Sequence, residues 1–139
     1  MKTNVIMDTG PLVAAINCHD RHHEWARQLL GQLTPPILTC EAVLAEACYL
    51  LRETHQGASA VLALVQRGVL FSSFNLQNHI QTTMALMDKY SDIPMSLADA
   101  CIVRMSEIHD KPTVATCDRD FRFYRRSGRK TIPLAAPFK

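Results

Sequence analysis

Carboxylates follow two of the strands that the sequence predicts. Asp8 comes directly after the apolar run Asn4–Met7, and Asp118 lies just beyond the strand-like residues 113–116. The carboxyl ends of parallel strands lie along one edge of a sheet, where the ligands of open α/β sheets bind. Either acid alone is also explained as a turn or cap residue, because an aspartate side chain readily bonds to nearby backbone there. Their matching positions favour a shared site.

A third acid, Glu46, lies on a helix predicted from residue 40 to about residue 54. At about 100° per residue, Glu46 falls at the edge of an apolar face that includes Val43 and Leu50. Glu41 points away from that face and is explained as an acid in the first turn, where it complements the helix dipole. A carboxylate beside a buried face is costly unless a cation compensates it. The alternative is that Glu46 rims the core and reaches solvent.

A fourth acid, Asp99, stands among the small and apolar residues 97–103 at the start of another predicted helix. Ser96 and Asp99 have the spacing of an N-cap and third helical residue, so a capping box is one explanation. Buried acids are otherwise paired or coordinate metals. Capping and metal binding do not exclude each other.

Together the four acids form an oxygen-rich set with few cationic neighbours in the sequence. Mg²⁺ and Mn²⁺ prefer carboxylate and water ligands, and such ions usually also bind phosphate oxygens of a substrate. The chemistry that this set predicts is phosphodiester hydrolysis, in which the metal activates water and stabilises the leaving oxygen. The residues concerned are Asp8, Glu46, Asp99 and Asp118.

Strand-like and helical segments alternate along the chain, with no internal repeat or linker. This alternation predicts an α/β fold, a mostly parallel sheet flanked by helices as an α/β/α domain. Residues 8–11 are interpreted as a turn, and Thr39 as the cap of the helix that carries Glu46. The strands are predicted at residues 4–7, 37–38, 69–74, 112–116 and 131–132, and the helices at residues 20–33, 40–54, 58–67, 76–90, 97–109 and 119–124.

Composition fits one compact domain over residues 1–139. The chain is 47% apolar and 20% charged, with a formal charge of +2, too small to indicate nucleic acid by itself. An odd number of cysteines within apolar runs predicts reduced, buried thiols in a cytosolic protein. No signal peptide is visible, and no apolar stretch reaches the ~18 residues that span a membrane. We therefore expect a cytoplasmic location and no membrane partner. The cysteines are Cys18, Cys40, Cys48, Cys101 and Cys117.

Four short motifs together resemble a PIN-domain nuclease, and the likeness points to the VapC-type toxins of toxin–antitoxin pairs. Each motif alone is weak, but all four occur in the expected order and spacing over essentially the whole chain. They are residues 7–13 (MDTGPLV), 43–47 (VLAEA), 96–100 (SLADA) and 116–121 (TCDRDF).

The resemblance implies an active, Mg²⁺- or Mn²⁺-dependent ribonuclease. It also implies that the chain forms a homodimer and is silenced by a small antitoxin that fills the acidic groove. By position, the four acids match the family's metal ligands. Supporting roles are implied for Thr9, Thr116 and Asp120, of which Asp120 would share or replace the role of Asp118.

A basic segment follows Asp118 and is predicted to bind RNA phosphates. Arginine neutralises phosphate charge, and aromatic rings can stack on bases. For the aromatic residues Phe121, Phe123 and Tyr124, inward packing is the favoured interpretation. The predicted phosphate-binding residues are Arg119, Arg122, Arg125 and Arg126.

Other functions are less consistent with the sequence. Cys18 with His22, or His19 with His23, has zinc-like spacing, but no second ligand pair occurs. A phosphotransfer hydrolase needs a second acid two residues after the first, where this chain has Gly10. Two alternatives stay open: a PIN-like RNA-processing nuclease without an antitoxin, and a catalytically silent module that binds RNA or a partner and keeps the acids for folding.

Overall fold

The computed structural model describes residues 3–139 and confirms the α/β fold. Within these residues the α-helices are α1 (Thr9–Ile16), α2 (His23–Gln32), α3 (Glu41–Leu50), α4 (Gly57–Gln66), α5 (Ile80–Lys89) and α6 (Leu97–Ile108). The strands are β1 (Asn4–Met7), β2 (Ile37–Thr39), β3 (Leu70–Ser72), β4 (Pro112–Ala115), β5 (Arg125–Arg126), β6 (Lys130–Thr131) and β7 (Leu134–Ala135). Short 3₁₀ helices span Leu76–His79 and Arg119–Arg122. The prediction that no signal peptide is present concerns the extreme N-terminus. Residues 1 and 2 of that segment lie outside the described residues.

The main sheet has five parallel strands in the order β3-β2-β1-β4-β7. The chain proceeds from β1 outward through β2 to β3, and then returns to the other side of β1 as β4. The strand order therefore reverses between β1 and β4, which is where α/β sheets form their binding crevice. Ile6 of β1 lies opposite Leu38 and Val114 in the two neighbouring strands. Asp8 and Asp118 consequently emerge at the predicted edge of the sheet.

The core lies around β1 and α6. Ile6 and Met7 are completely buried, as expected for the central strand of a sheet covered by helices. Helix α6 contacts β1, β4 and α3, and residues 100–103 in its middle are all buried. Because close packing against β1, β4 and α3 surrounds the middle of α6, the helix and the Asp99 it carries are held in a fixed position.

The predictions of a turn at residues 8–11 and of Thr39 as a helix cap were wrong. The predicted turn at residues 8–11 is instead the beginning of α1, since Thr9 is its first residue and Pro11 its third. A helix tolerates proline there, because the first-turn N–H groups have no partner within the helix. Thr39 belongs to β2, and its hydroxyl donates to the Met7 carbonyl at 3.0 Å, so Cys40 occupies the N-cap position of α3 instead.

The C-terminal strand is also displaced from its predicted position. Thr131 pairs with Arg125 in the antiparallel pair β5–β6, which lies outside the main sheet. The fifth strand of the main sheet is β7, three residues later. Each of these strands has only two residues. Such a short segment gives no apolar periodicity from which its position could be predicted.

Cys18 is exposed, contrary to the prediction of buried thiols, whereas Cys40 and Cys101 are buried; all five cysteines are free. Among the described helices none is both long and apolar enough to cross a membrane.

Gly10 allows a close approach between α1 and the segment after β4. A β-carbon on Gly10 would lie 2.9 Å from the β-carbon of Cys117 and 3.3 Å from its sulfur. Because Gly10 has no side chain, the segments that carry Asp8 and Asp118 can pack together at this point.

We predict that Gly10→Ala destabilises the protein by roughly 1–3 kcal/mol, because overpacking forces neighbouring atoms to shift. Gly31→Ala is the matched control: Gly31 lies in α2 with open space around its α-carbon. This change should stabilise the protein by roughly 0.5–1 kcal/mol, since it removes backbone freedom from the unfolded chain. Urea unfolding measures both, and equal effects of the two substitutions would contradict the close-approach argument.

Candidate active site

The structure brings the four predicted acids together around one open cavity of about 320 Å³. They come from four separate parts of the fold: the end of β1, helix α3, the start of α6 and the segment after β4. Only the tertiary fold can unite them, because they are distant in sequence. The acids are Asp8, Glu46, Asp99 and Asp118.

Asp8 is the most buried of these acids, with 5% of its surface exposed. The hydroxyl of Thr116 donates to its Oδ2 at 2.7 Å, and the backbone N–H of Thr9 also donates to the carboxylate. Burial raises the pKa of Asp8 from 3.8 to about 7, and the negative charges of Asp99 and Asp118 add to this rise. The two hydrogen bonds oppose the rise without cancelling it. In the absence of a cation, Asp8 is therefore half-protonated near neutral pH.

Asp99 and Ser96 form the predicted capping box at the start of α6. The N–H of Asp99 donates to Ser96 Oγ at 3.0 Å, and the N–H of Ser96 donates to Asp99 Oδ2 at 3.1 Å. Burial raises the pKa of Asp99, and the charges of Asp118 and Glu46 raise it further. The cap thus holds a half-buried carboxylate in place at the cavity, so capping and a role in the site coexist.

Thr116 connects the ends of the two central strands. Its hydroxyl oxygen accepts from the N–H of Asp118 at 2.9 Å while its proton goes to Asp8. Asp118 Oδ1 in turn accepts from the N–H of Asp120 at 2.9 Å and caps the 3₁₀ helix Arg119–Arg122. Asp118 lines the cavity and Asp120 is not among the residues that do. The geometry therefore favours Asp118 over Asp120 within the acidic group.

Glu46 lies on the solvent side of the cavity. Its side chain is exposed, so the alternative that it reaches solvent describes its position correctly. Leu50, which helical spacing places on the apolar face of α3, is also exposed and lines the same cavity. Helical phase located the correct side of α3, but that side faces the cavity rather than the core at these two residues.

Asp20 and Cys117 also line the cavity and were not singled out from the sequence. Asp20 Oδ1 accepts from the N–H of His22 at 2.9 Å, a local bond that gives no sign of a site. Burial raises the pKa of Cys117 to about 12, and the nearby carboxylates of Asp20 and Asp8 contribute. Cys117 is therefore a neutral thiol near neutral pH, which excludes it as an activated thiolate nucleophile.

The donor chemistry of the cavity fits a hard divalent cation. Among the described residues, 3–139, those lining the cavity include five carboxylates but no lysine or arginine, and the buried hydroxyl of Thr9 has no hydrogen-bond partner. Across residues 3–139, no three His, Cys, Asp or Glu side chains are grouped closely enough to hold a metal by direct ligation alone. This spacing is compatible with Mg²⁺, which usually keeps several of its waters.

The predicted basic residues separate into two kinds. Arg119 and Arg122 are exposed. Arg125 donates to the carbonyls of Arg122 and Tyr124 at 2.7 and 3.1 Å, and Arg126 donates to the Ser106 carbonyl at 2.9 Å; both are half-buried. These bonds give Arg125 and Arg126 a structural role in the C-terminal segment.

The aromatic residues of the same segment also separate. Phe121 and Tyr124 are buried, which agrees with inward packing. Phe123 is 54% exposed, so the prediction of inward packing was wrong at that position.

The sequence and the fold of this chain are similar to those of known proteins. A family model described as PIN domain matches residues 5–127. Among solved structures, the chain is similar to the Mycobacterium tuberculosis toxin VapC20, described as a Sarcin-Ricin loop cleaving toxin. The TM-score is 0.73 at 23% identity, over 84% of this chain and 92% of that one, which is a likeness of fold. No curated protein matches the sequence significantly.

The raised pKa of Asp8 predicts that metal-free protein loses stability as the pH rises. The unfolded aspartate ionises near 3.8 and the folded one near 7, so between these values the folded state binds more protons. The contribution of the protonated carboxyl to the free energy of unfolding is fully present below about pH 4. It is lost as the pH rises from about 4 through 7, and the loss amounts to roughly 4 kcal/mol at most. Asp8→Asn should remove this loss and raise the unfolding temperature at pH 8, but not at pH 4.

Thermal unfolding in a chelating buffer measures this difference. The matched control is Asp92→Asn, an exposed acid between α5 and α6, which should unfold as the parent does at both pH values. Identical unfolding temperatures of Asp8→Asn and the parent at pH 8 would show that Asp8 is not destabilised by its surroundings.

Proposed function

The chain belongs to the PIN domain family, and on that premise we propose that it is a Mg²⁺- or Mn²⁺-dependent endoribonuclease acting in the cytoplasm as the toxin of a toxin–antitoxin pair. The observation that carries the proposal is the convergence of four carboxylates from separate elements on one cavity that, within the part of the chain the structure describes, no lysine or arginine lines. A carboxylate set of this kind is costly to maintain for stability alone, because burial and neighbouring carboxylates raise the pKa of Asp8 and disfavour its charged form. A bound cation would offset that cost.

In the proposed site, the metal would lie among Asp8, Asp99 and Asp118, which would hold it together with its own bound waters, and Glu46 would contribute from the solvent side. Thr116 fixes the orientation of Asp8 through its hydroxyl, and the Ser96 N–H fixes one oxygen of Asp99. A bound divalent ion supplies activation of water and neutralisation of phosphate charge.

Thr9, Asp120 and the basic residues have supporting roles in the proposal. Thr9, the first residue of α1, lines the cavity, and its buried hydroxyl has no hydrogen-bond partner among the described residues. The Asp120 N–H orients the carboxylate of Asp118. Arg119, Arg122, Arg125 and Arg126 supply phosphate contacts beside the acids, and main-chain hydrogen bonds of the last two also hold the basic segment in place.

The proposal extends to protein partners. Leu50 is 53% exposed at the cavity, and its neighbour Tyr49 is also exposed. A small antitoxin that covered these side chains would bury apolar surface and close access to the acids. Exposed apolar residues elsewhere, such as Leu62 and Met84, offer surface for pairing of two copies. A PIN-like RNA-processing nuclease would have the same site without such an antitoxin.

We predict that the protein cleaves RNA with Mg²⁺ or Mn²⁺ and that chelation abolishes cleavage. Asp8→Asn and Asp99→Asn should each reduce cleavage by at least about a hundredfold, because either change removes a charge that the metal requires. Asp118→Asn should have a larger effect than Asp120→Asn. Sequencing of RNA ends after brief expression identifies the cleavage sites, and cleavage of a labelled RNA gives the rates.

The exposed Asp92→Asn variant serves as the control for loss of one acid, and it should cleave at the parent's rate. Undiminished cleavage by folded Asp8→Asn and Asp99→Asn proteins would reject the proposed site. An absence of cleavage by the parent with either metal would instead favour the catalytically silent alternative.

Metal binding can be measured separately from cleavage. A ligand present at 100 times its dissociation constant stabilises the folded state by about 2.7 kcal/mol, so Mg²⁺ or Mn²⁺ should raise the unfolding temperature of the parent at pH 8. Asp99→Asn should respond to metal much less, whereas Asp92→Asn should respond as the parent does. A parent whose unfolding is insensitive to both metals would contradict the metal site without affecting the assignment of the fold.

A further inference from the structure

Two buried cysteines, Cys40 and Cys101, form a hydrogen bond with each other through their side chains. Cys40 occupies the N-cap position of α3 and Cys101 lies in α6, so this bond joins two separate helices. Both residues are free thiols. A disulfide can form only where two cysteine side chains approach each other closely, and the hydrogen bond brings this pair into contact. The two residues are called the thiol pair from here on.

Both members of the thiol pair line a second cavity, of about 300 Å³. The apolar side chains of Phe74, Leu76 and Leu97 line it as well, and Glu41 adds a negative charge. That charge repels an anionic oxidant, such as a low-molecular-weight disulfide that carries carboxylates. Hydrogen peroxide is small and neutral. The cavity therefore gives a peroxide, in preference to an anionic disulfide, access to the thiol pair.

The thiol pair connects the two helices that carry Glu46 and Asp99. Cys40 immediately precedes α3, which carries Glu46, and Cys101 lies two residues after Asp99 on α6. At about 100° per residue, Asp99 and Cys101 project from nearly opposite sides of α6, and they line different cavities accordingly. A pull on Cys101 toward Cys40 consequently draws this part of the helix away from the side on which Asp99 projects.

The first turn of α6 is the part of this junction that can move. Cys40 directly follows β2, and Thr39 of that strand donates to the Met7 carbonyl of the central strand at 3.0 Å, which anchors Cys40 to the sheet. By contrast, Leu97 at the start of α6 is 42% exposed, and Asp99 is half-buried. The sulfurs of a disulfide are about 2 Å apart, closer than a hydrogen bond holds them. Closure of the bond should therefore displace Asp99 rather than the anchored strand.

We propose that Cys40 and Cys101 are a site of reversible oxidation, at which hydrogen peroxide converts the two thiols into a disulfide and thereby slows RNA cleavage at the acidic cavity. One thiol sulfur attacks a peroxide oxygen, the O–O bond breaks, one water leaves and a sulfenic acid remains. The second sulfur attacks the first, the S–O bond breaks and another water leaves. In total the thiols lose two electrons and two protons, and the peroxide is reduced to water. A small thiol reverses the change by thiol–disulfide exchange.

Treatment of the fully reduced protein with hydrogen peroxide tests the site. After alkylation of the remaining thiols, peptide mass spectrometry should find a cross-link between Cys40 and Cys101. Titration of the unfolded protein should show that two of its five thiols are lost. Dithiothreitol should restore both.

Three cysteine variants identify the thiols that react. Cys40→Ser removes one member of the pair and should leave α3 intact, because serine is a favoured N-cap residue. Cys101→Ala removes the other member, and neither variant should form the cross-link. Cys48→Ser is the matched control, since Cys48 is a half-buried cysteine elsewhere in α3. This variant should be oxidised as the parent is.

The effect of oxidation on cleavage rests on the proposed function, whereas formation of the disulfide does not. Oxidation should slow the metal-dependent cleavage of a labelled RNA at least about tenfold in the parent and in Cys48→Ser, because a small displacement of a reacting group has a large effect on rate. Cleavage by Cys40→Ser should not respond to peroxide. Oxidation of the parent should also reduce the rise in unfolding temperature that Mg²⁺ produces at pH 8, a measurement that requires no cleavage.

A parent in which Cys40 and Cys101 stay reduced, or in which the exposed Cys18 links two chains instead, would overturn the proposal. A cross-link that changes neither cleavage nor the response to Mg²⁺ would overturn the control of the acidic cavity by oxidation. A parent that cleaves no RNA with either metal would reject the proposed function. In that case the cross-link and the response to Mg²⁺ still decide the present proposal.

Discussion

The hydroxyl of Thr116 is the interaction on which the arrangement of the acids depends. It donates to Asp8 after β1 and accepts from the backbone of Asp118 after β4, so one side chain ties together the ends of two adjacent strands. Thr116 is completely buried, and a broken bond there would leave polar groups without partners in the interior. The positions of the first and last acids, Asp8 and Asp118, are thus linked through the same atom. The close approach at Gly10 belongs to the same junction.

Electrostatics at this junction work against stability. Asp8 is buried beside two other carboxylates, and from residue 3 onward no lysine or arginine lines their cavity. A protein selected only for stability would replace such an acid with a neutral residue, since burial of a charge without a partner is costly. The core around β1 and α6 supplies the stability that makes this cost tolerable. The site therefore requires a rigid fold as well as the right acids.

Much of this arrangement could be predicted from the sequence because its signals are local. Asp8 and Asp118 were found from their positions after apolar runs, and Asp99 from its spacing to Ser96. Glu46 was placed on the correct side of α3, but helical phase alone does not distinguish a core-facing surface from a cavity-facing one. Asp20 could not be found, since it reaches the cavity only through the fold of the segment between α1 and α2. Its one local hydrogen bond is that of an ordinary turn.

The C-terminal residues show why some features need the fold rather than the sequence. Phe138 contacts Arg119 and Arg122 because β7 returns the chain to the edge of the sheet beside β4. Neither the two-residue strand nor a single late phenylalanine gives a periodic signal. The same return places Arg119 and Arg122 against the ring of Phe138, close in sequence to Asp118, and Arg122 also donates to a main-chain oxygen of Lys139 at 3.4 Å. Had Arg119 or Arg122 turned toward Asp118, the pairing would have neutralised both the acid and the charge that attracts a polyanion. Because an aromatic ring and main-chain oxygens support these arginines, neither forms an ion pair with Asp118, and that acid stays available to the cavity.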